Sequence, residues 1–495
     1  MKKSILKGTM LIIIISIISR AIGLLFRIPI TYLIKDYGNG LYYYPIILFN
    51  PIIAFIGAPS IAIARMVSKE SDVINQYKIL QSTKNSMFSL GVVISILMLL
   101  LGPVLISTIW SKDVLLPYMA LVPAPIFLSL IAVYKGFFQG QQNMTPISYQ
   151  QLADALGRVI FGVGLAYIFK ENVIWATSGA TFGTTAGTMV SFIVIYIYFR
   201  LFHHKTCSKP AKVERRSINK ALISIALPIA ISAIGVSLMG LVDGLLINIR
   251  LLEIGYSGED VLRLSGVLSL SNTLIGIPLV IGTSIALNTL PNIVAASKYG
   301  LDYQQNRIRT TLIMFITLAL PCGAGMFLVG KDIFAMIFPE SYIDHYIIEI
   351  ASLGMMMTML NMAFTTVLQA KEKERVPVRH MYIGILIKLI LSYVFLGLPS
   401  LNIHGSVLST LMAYTVILIL NIKASITYIT IDVKYMILVP IISTLAMILV
   451  VLVCKVITSQ VIMHVFIGGL VYGLLLLTFK VVLITDIPFI KRIIK

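Results

Sequence analysis

The chain alternates long apolar runs with short breaks rich in charge, Pro or Gly. Cutting at the breaks gives fourteen runs, at 9–34, 41–64, 86–110, 115–134, 148–169, 173–199, 221–249, 264–290, 308–329, 346–369, 377–398, 403–427, 435–457 and 460–484. A helix needs about 20 apolar residues to cross the hydrocarbon core of a bilayer. The pattern therefore predicts an all-α polytopic membrane protein with about 14 transmembrane helices. Composition agrees: of 495 residues, 58% are apolar and 12% charged, and mean hydropathy is +0.95. An average soluble protein carries roughly 25% charged residues. Disordered, collagen-like, coiled-coil and disulfide-scaffold classes are excluded.

The net charge of +19 suggests a nucleic-acid binder until the cations are placed along the chain. With the N-terminus inside, the cytoplasmic segments hold 28 Lys and Arg, the outer loops hold 7 and the runs hold 4. Such asymmetry predicts a multi-pass membrane protein with both termini cytoplasmic. It also explains the charge without nucleic acid. Lys2, Lys3 and Lys7 precede the first run as in a signal peptide, but no small-residue cleavage pattern follows, so an uncleaved first span is expected. Cys207, Cys322 and Cys454 are too scattered for a disulfide framework or a zinc site. The basic connections at 65–84 and 200–220 set topology, and either offers contacts to anionic membrane lipids.

Two segments echo each other. Phe138-Gln139-Gly140 with Pro146 parallels Leu368-Gln369-Ala370 with Pro377, and Ser60-Ile61-Ala62 parallels Ser284-Ile285-Ala286. These offsets imply six spans repeated, and an even number gives both copies the same orientation. The expected organisation is an N-lobe at 1–199, a basic linker at 200–220, a C-lobe at 221–427, and a C-terminal helix pair with a basic tail at 428–495. The lobes are parallel repeats around a midplane cavity.

Ionisable groups at membrane depth are costly and mark functional sites by default. Ser16, Ser19, Arg20, Gly23, Arg27 and Thr31 recur every three or four residues, so they share one face of the first helix. Arg20 and Arg27 lie about 10 Å apart along it. Arg65 ends the second run. The planar guanidinium suits phosphate, so Arg20, Arg27 and Arg65 are candidates for binding an anionic substrate. Asp154 and Arg158 are spaced i, i+4 and read as a structural ion pair. Asp243 and Lys388 lie within the seventh and eleventh runs. They read as a mutual ion pair across helices or as ion-coupling and gating groups. No catalytic constellation, metal-ligand spacing or Gly-rich phosphate loop occurs. A transporter is therefore expected rather than an enzyme, with no cofactor and no bound metal.

With those residues in view, the sequence resembles the MurJ/SpoVB/YtgP-type flippases of the multidrug/oligosaccharidyl-lipid/polysaccharide superfamily. Lys7-Gly8-Thr9 leading to Ser19-Arg20-Ala21-Ile22-Gly23 and Arg27 is similar to that family's opening. Gly57-Ala58-Pro59-Ser60-Ile61-Ala62 is similar to its second span, and Tyr134-Lys135-Gly136-Phe137-Phe138-Gln139-Gly140 to Thr145-Pro146 to its segment after the fourth. The resemblance implies movement of an undecaprenyl-pyrophosphate-linked cell-wall precursor, lipid II first among them, from the inner to the outer leaflet. It implies that Arg20, Arg27 and Arg65 face a cationic cavity. It makes sodium, protons or the membrane potential the candidate driving forces, and cell-wall synthesis enzymes candidate partners. Relatives commonly carry a further arginine in the eighth span, where this chain reads Ser269-Leu270-Ser271-Asn272-Thr273. The alternatives are a flippase for another polyprenyl-linked polysaccharide unit, a multidrug or cation antiporter, and, from a different class, a polysaccharide polymerase or ligase.

Overall fold

A computed structural model describes residues 25–203, 215–339, 344–429 and 432–479, together with 15, 19, 22 and 23. Among them the structure is helical, with no strand. We number the helices α1 (Arg27–Lys69), α2 (Val73–Ile109), α3 (Leu115–Met119), α4 (Ala124–Gly140), α5 (Thr145–Ile168), α6 (Val173–His203) and α7 (Arg215–Glu253). They continue as α8 (Gly258–Ala296), α9 (Leu301–Ile337), α10 (His345–Ala370), α11 (Arg375–Leu396), α12 (His404–Ser425), α13 (Val439–Ile457) and α14 (Val461–Thr478). Among the described residues, 13 helical stretches are long and apolar enough to span a bilayer. The first of these holds the end of the first predicted run and all of the second, because α1 is broken at Lys35 (φ 58°, ψ −166°). The chain is thus a multi-pass membrane protein of the expected fold class.

Side chains supply the helix starts. Asp72 accepts from the Ile74 amide at 2.9 Å, and Asn172 from the amides of Ile174 and Trp175 at 3.0 and 3.2 Å. Each satisfies donors that the first helical turn leaves orphaned. Pro45, Pro51 and Pro59 lie inside α1 and Pro321 inside α9, a placement that membrane helices tolerate better than soluble ones. Several helices outrun the bilayer: the 37 residues of α2 extend about 55 Å against a core of about 30 Å. Its Leu99, Leu100, Leu101 and Val104 are exposed, as lipid-facing positions should be. Lys135, just past the end of the fourth predicted run, is still helical because α4 continues to Gly140, and it is half-buried.

The chain divides into two compact units, residues 1–269 and 270–495, with the boundary inside α8. In the first unit, Tyr134, Phe137, Phe138 and Phe199 form one aromatic cluster, joined by Tyr77. Helices α5 and α6 meet along small residues: a Cβ on Gly183 would lie 2.6 Å from the Gly162 Cα. Such seams bring backbones together where lipid gives no hydrophobic drive for association. In the second unit, Ile308, Leu312 and Phe315 of α9 pack on Ala363 and Val367 of α10. Helices α13 and α14 bring Met447, Val451, Tyr472 and Leu476 against Val329, and the Tyr472 hydroxyl donates to the Thr317 carbonyl at 2.8 Å.

Candidate functional site

Ile30, Ile34, Phe26 and Tyr42 pack against Ala166, Ala176 and Ala180, which seats the start of α1 on α5 and α6. Arg27 belongs to this buried face and is only 8% exposed. Its guanidinium donates to the Ser269 hydroxyl of α8 and lies 4.5 Å from the Tyr42 ring centre. A cation over an aromatic face gains about 0.5–2 kcal/mol, more when desolvated. Ser269 opens the stretch that lacks the additional arginine, so a neutral hydroxyl stands beside Arg27 there. One turn on, the buried Thr31 hydroxyl donates to the Arg27 carbonyl at 2.8 Å. A buried arginine held by a hydroxyl and a ring is a fixed positive charge in an apolar setting, which strengthens any contact with an anion.

Past the Lys35 break, α1 is pressed onto α7 and the start of α8. The Tyr44 hydroxyl and the Ser265 hydroxyl are 2.7 Å apart. A Cβ on Gly40 would sit 2.0 Å from the Leu262 carbonyl oxygen, and one on Gly266 would sit 2.6 Å from that of Asp36. Only glycine permits this approach. Asp36 pairs with Arg263, which also holds Glu259 at 2.7 Å. The Tyr37 hydroxyl donates to Asp113 at 2.5 Å. The Trp110 indole, 5.4 Å from the Tyr44 ring, donates to the Gly244 carbonyl at 2.9 Å, and the Asn248 amide donates to the Ile109 carbonyl. Together these contacts seal α1, α2, α7 and α8 at the ends that the charge pattern assigns to the outer surface. Asn39, fully buried, donates to the Lys35 carbonyl at 2.6 Å and braces the break.

Asp243 is buried on α7, within electrostatic reach of the Tyr43 phenol. Lys388 is buried on α11 in the second unit, one turn from Ser392, whose hydroxyl meets that of Ser409 at 2.6 Å. Arg158 reaches Asp154 at 3.0 Å, both partly exposed. Arg65 is exposed near the end of α1. Arg20 lies outside the described residues. Among the described residues, no group of three or more His, Cys, Asp or Glu side chains is placed to hold a metal.

The family model for polysaccharide biosynthesis proteins matches residues 5–294. The chain belongs to that family. The matched stretch takes in Arg27 with Tyr42 and Ser269 and the whole contact of α1 with α7 and the start of α8. Among family relatives, the lipid II flippase MurJ of Bacillus subtilis (strain 168) is 24% identical over 446 residues, covering 84% of this chain and 81% of that protein. Stage V sporulation protein B of the same organism is 22% identical over 439 residues, covering 85% and 83%. A solved structure of lipid II flippase MurJ in an inward closed conformation superposes with a TM-score of 0.74 at 17% identity, covering 98% of this chain and 100% of that one. An inward-facing MATE-family multidrug resistance transporter of the MOP superfamily superposes at 0.65 with 14% identity, covering 82% and 97%. The fold of this family member is therefore the MurJ and MATE fold.

Proposed function

We propose that this protein is a flippase that carries an undecaprenyl-pyrophosphate-linked glycan from the inner to the outer leaflet by alternating access, and that the glycan is lipid II. The carrying observation is Arg27: a buried arginine on the first described helix of a family member, where burying a charge is justified by an anionic ligand. The names of the Bacillus relatives support the substrate class, and the MATE likeness supports the transport cycle. The diphosphate enters the protein while the polyprenyl tail stays in the lipid. Arg20 and Arg27 bind the diphosphate, and Arg65 guides it in. The lobes then rock, and the seal of α1 and α2 against α7 and α8 opens on the outer side. Asp243 takes the coupling or gating role, with Lys388 as a built-in ammonium in place of a coupling ion. If sodium raised the thermal stability of the wild type but not of Asp243→Asn, that replacement would be wrong.

The test is complementation. A bacterium depleted of its own lipid II flippase is given this protein, or Arg27→Ala or Arg20→Ala, and outer-leaflet lipid II is assayed. The proposal expects rescue by wild type and none by either variant at equal membrane insertion. A second reading, another polyprenyl-linked unit, is favoured by the sporulation-protein relative. It predicts no rescue by wild type and accumulation of a different lipid-linked intermediate when the native gene is lost.

A further inference from the structure

Where α1 ends, α2 begins and α7 begins, a cavity of about 370 Å³ opens, within the roughly 300–1,000 Å³ of small-ligand sites. Arg65, Lys69 and Lys78 line it. Among the described residues none of the three is ion-paired to a carboxylate. Among the described lining residues Glu70 is the one acid; its carboxylate takes a 3.5 Å contact from the Asn75 amide. Asn75 in turn accepts from Lys78 at 3.1 Å, and Gln76 donates to the Glu70 carbonyl at 2.8 Å. This short network fixes Lys78 and leaves the pocket with a net positive charge. Ser217 adds a hydroxyl. The remaining wall is apolar, chiefly Ile79, Ile218 and Ile225.

A lining that joins cations to isoleucines matches an amphiphile whose phosphate sits at an apolar stem. Free phosphate would leave the isoleucines unused, and an apolar ligand would strand the cations. The pocket also lies at the helix ends that the Lys/Arg distribution assigns to the cytoplasm. We propose that it binds the phosphate headgroup of a membrane amphiphile. The two sources of that chemistry are a bulk acidic phospholipid and the diphosphate of a polyprenyl carrier. The proposal holds whether or not the chain is a flippase.

The experiment uses the purified full-length protein and native mass spectrometry to count retained lipid. The probes are phosphatidylglycerol, phosphatidylcholine, undecaprenyl diphosphate and inorganic phosphate. Wild type is compared with Lys69→Gln/Lys78→Gln and with the charge-keeping Lys69→Arg/Lys78→Arg, each checked for a monodisperse elution profile. Each cation near a membrane surface contributes about 1 kcal/mol, so losing two should weaken phosphatidylglycerol retention roughly 30-fold. The arginine pair should retain it. Displacement of phosphatidylglycerol by undecaprenyl diphosphate in wild type assigns the site to the polyprenyl carrier. Resistance to displacement assigns it to phospholipid. Equal retention of phosphatidylglycerol by wild type and the glutamine pair, no preference over phosphatidylcholine, or equally tight binding of inorganic phosphate overturns the proposal. If the glutamine pair does not elute as a folded species, a wild type that shows no preference over phosphatidylcholine still overturns it.

Discussion

Gly40→Ala is the sharpest structural test of the contact between α1 and α8. The new methyl would stand 2.0 Å from the Leu262 carbonyl oxygen, where ordinary contact starts at 3.4 Å. Backbone lies on both sides, so no side chain can swing away. The two segments must separate by about 1.4 Å or tilt, and the 2.7 Å Tyr44–Ser265 bond cannot then survive. Overpacking costs about 1–3 kcal/mol and a neutral hydrogen bond about 1 kcal/mol. The sealed arrangement should therefore lose roughly 2–4 kcal/mol. If the seal opens and closes during transport, that loss shifts its population about 30- to 1,000-fold toward the open form. The assay places cysteines at Asp36 and Arg263, the ion pair beside the contact, and measures cross-linking by a short bifunctional thiol reagent with and without Gly40→Ala. Cross-linking should be efficient in the glycine background and largely lost in the alanine one. Unchanged cross-linking together with an unchanged melting temperature would refute the close approach.

Other consequences can be checked alongside it. Tyr44→Phe removes one hydrogen bond but leaves the ring on Trp110 and leaves Ser265 donating to the Val261 carbonyl at 2.7 Å; thermal unfolding should report a loss of about 1 kcal/mol. Gly183→Val drives side-chain atoms into the Gly162 backbone and should cost about 1–3 kcal/mol, visible as a lower melting temperature in detergent. Asp344, at the start of α10, accepts from His404 at 2.8 Å and from the Ile347 amide at 3.2 Å. Burial pushes its carboxyl up, but these bonds outweigh it and hold the group below its ordinary value of 3.8. That stability is present above the ordinary carboxylate range and is lost as pH falls through the depressed value. The melting-temperature gap between wild type and Asp344→Asn should be widest in mild acid, where Asp344 is ionised and His404 protonated, narrow as the imidazole loses its proton toward higher pH, and close in strong acid. The pair is partly exposed, so the gap amounts to about 1 kcal/mol or less.

The spans were legible in the sequence because apolar runs in a membrane protein are continuous and their breaks are charged. Even the Lys35 break was marked, by a polar stretch ending in Gly38 and Gly40. Arg27 was also legible, since a cation inside an apolar run stands out without any partner in view. What holds it was not: Ser269 lies 242 residues away in sequence, and nothing in the local pattern sets Tyr42 against the guanidinium. The seal was hidden for the same reason. Trp110 with Gly244, Asn248 with Ile109 and Arg263 with Asp36 are long-range pairs, and no local periodicity announces them. The fourth run ends at 134 because Lys135 interrupts the apolar residues, whereas α4 continues through it to Gly140.

The central claim is that the buried Arg27 handles an anionic, lipid-linked glycan. The most direct measurement follows lipid II reaching the outer leaflet in cells that depend on this protein alone, comparing wild type, Arg27→Lys and Arg27→Ala at matched membrane levels. Lysine keeps the charge but loses the fork geometry. The account predicts transport by wild type, reduced transport by the lysine variant and none by the alanine variant. Transport by Arg27→Ala at the wild-type rate would contradict it.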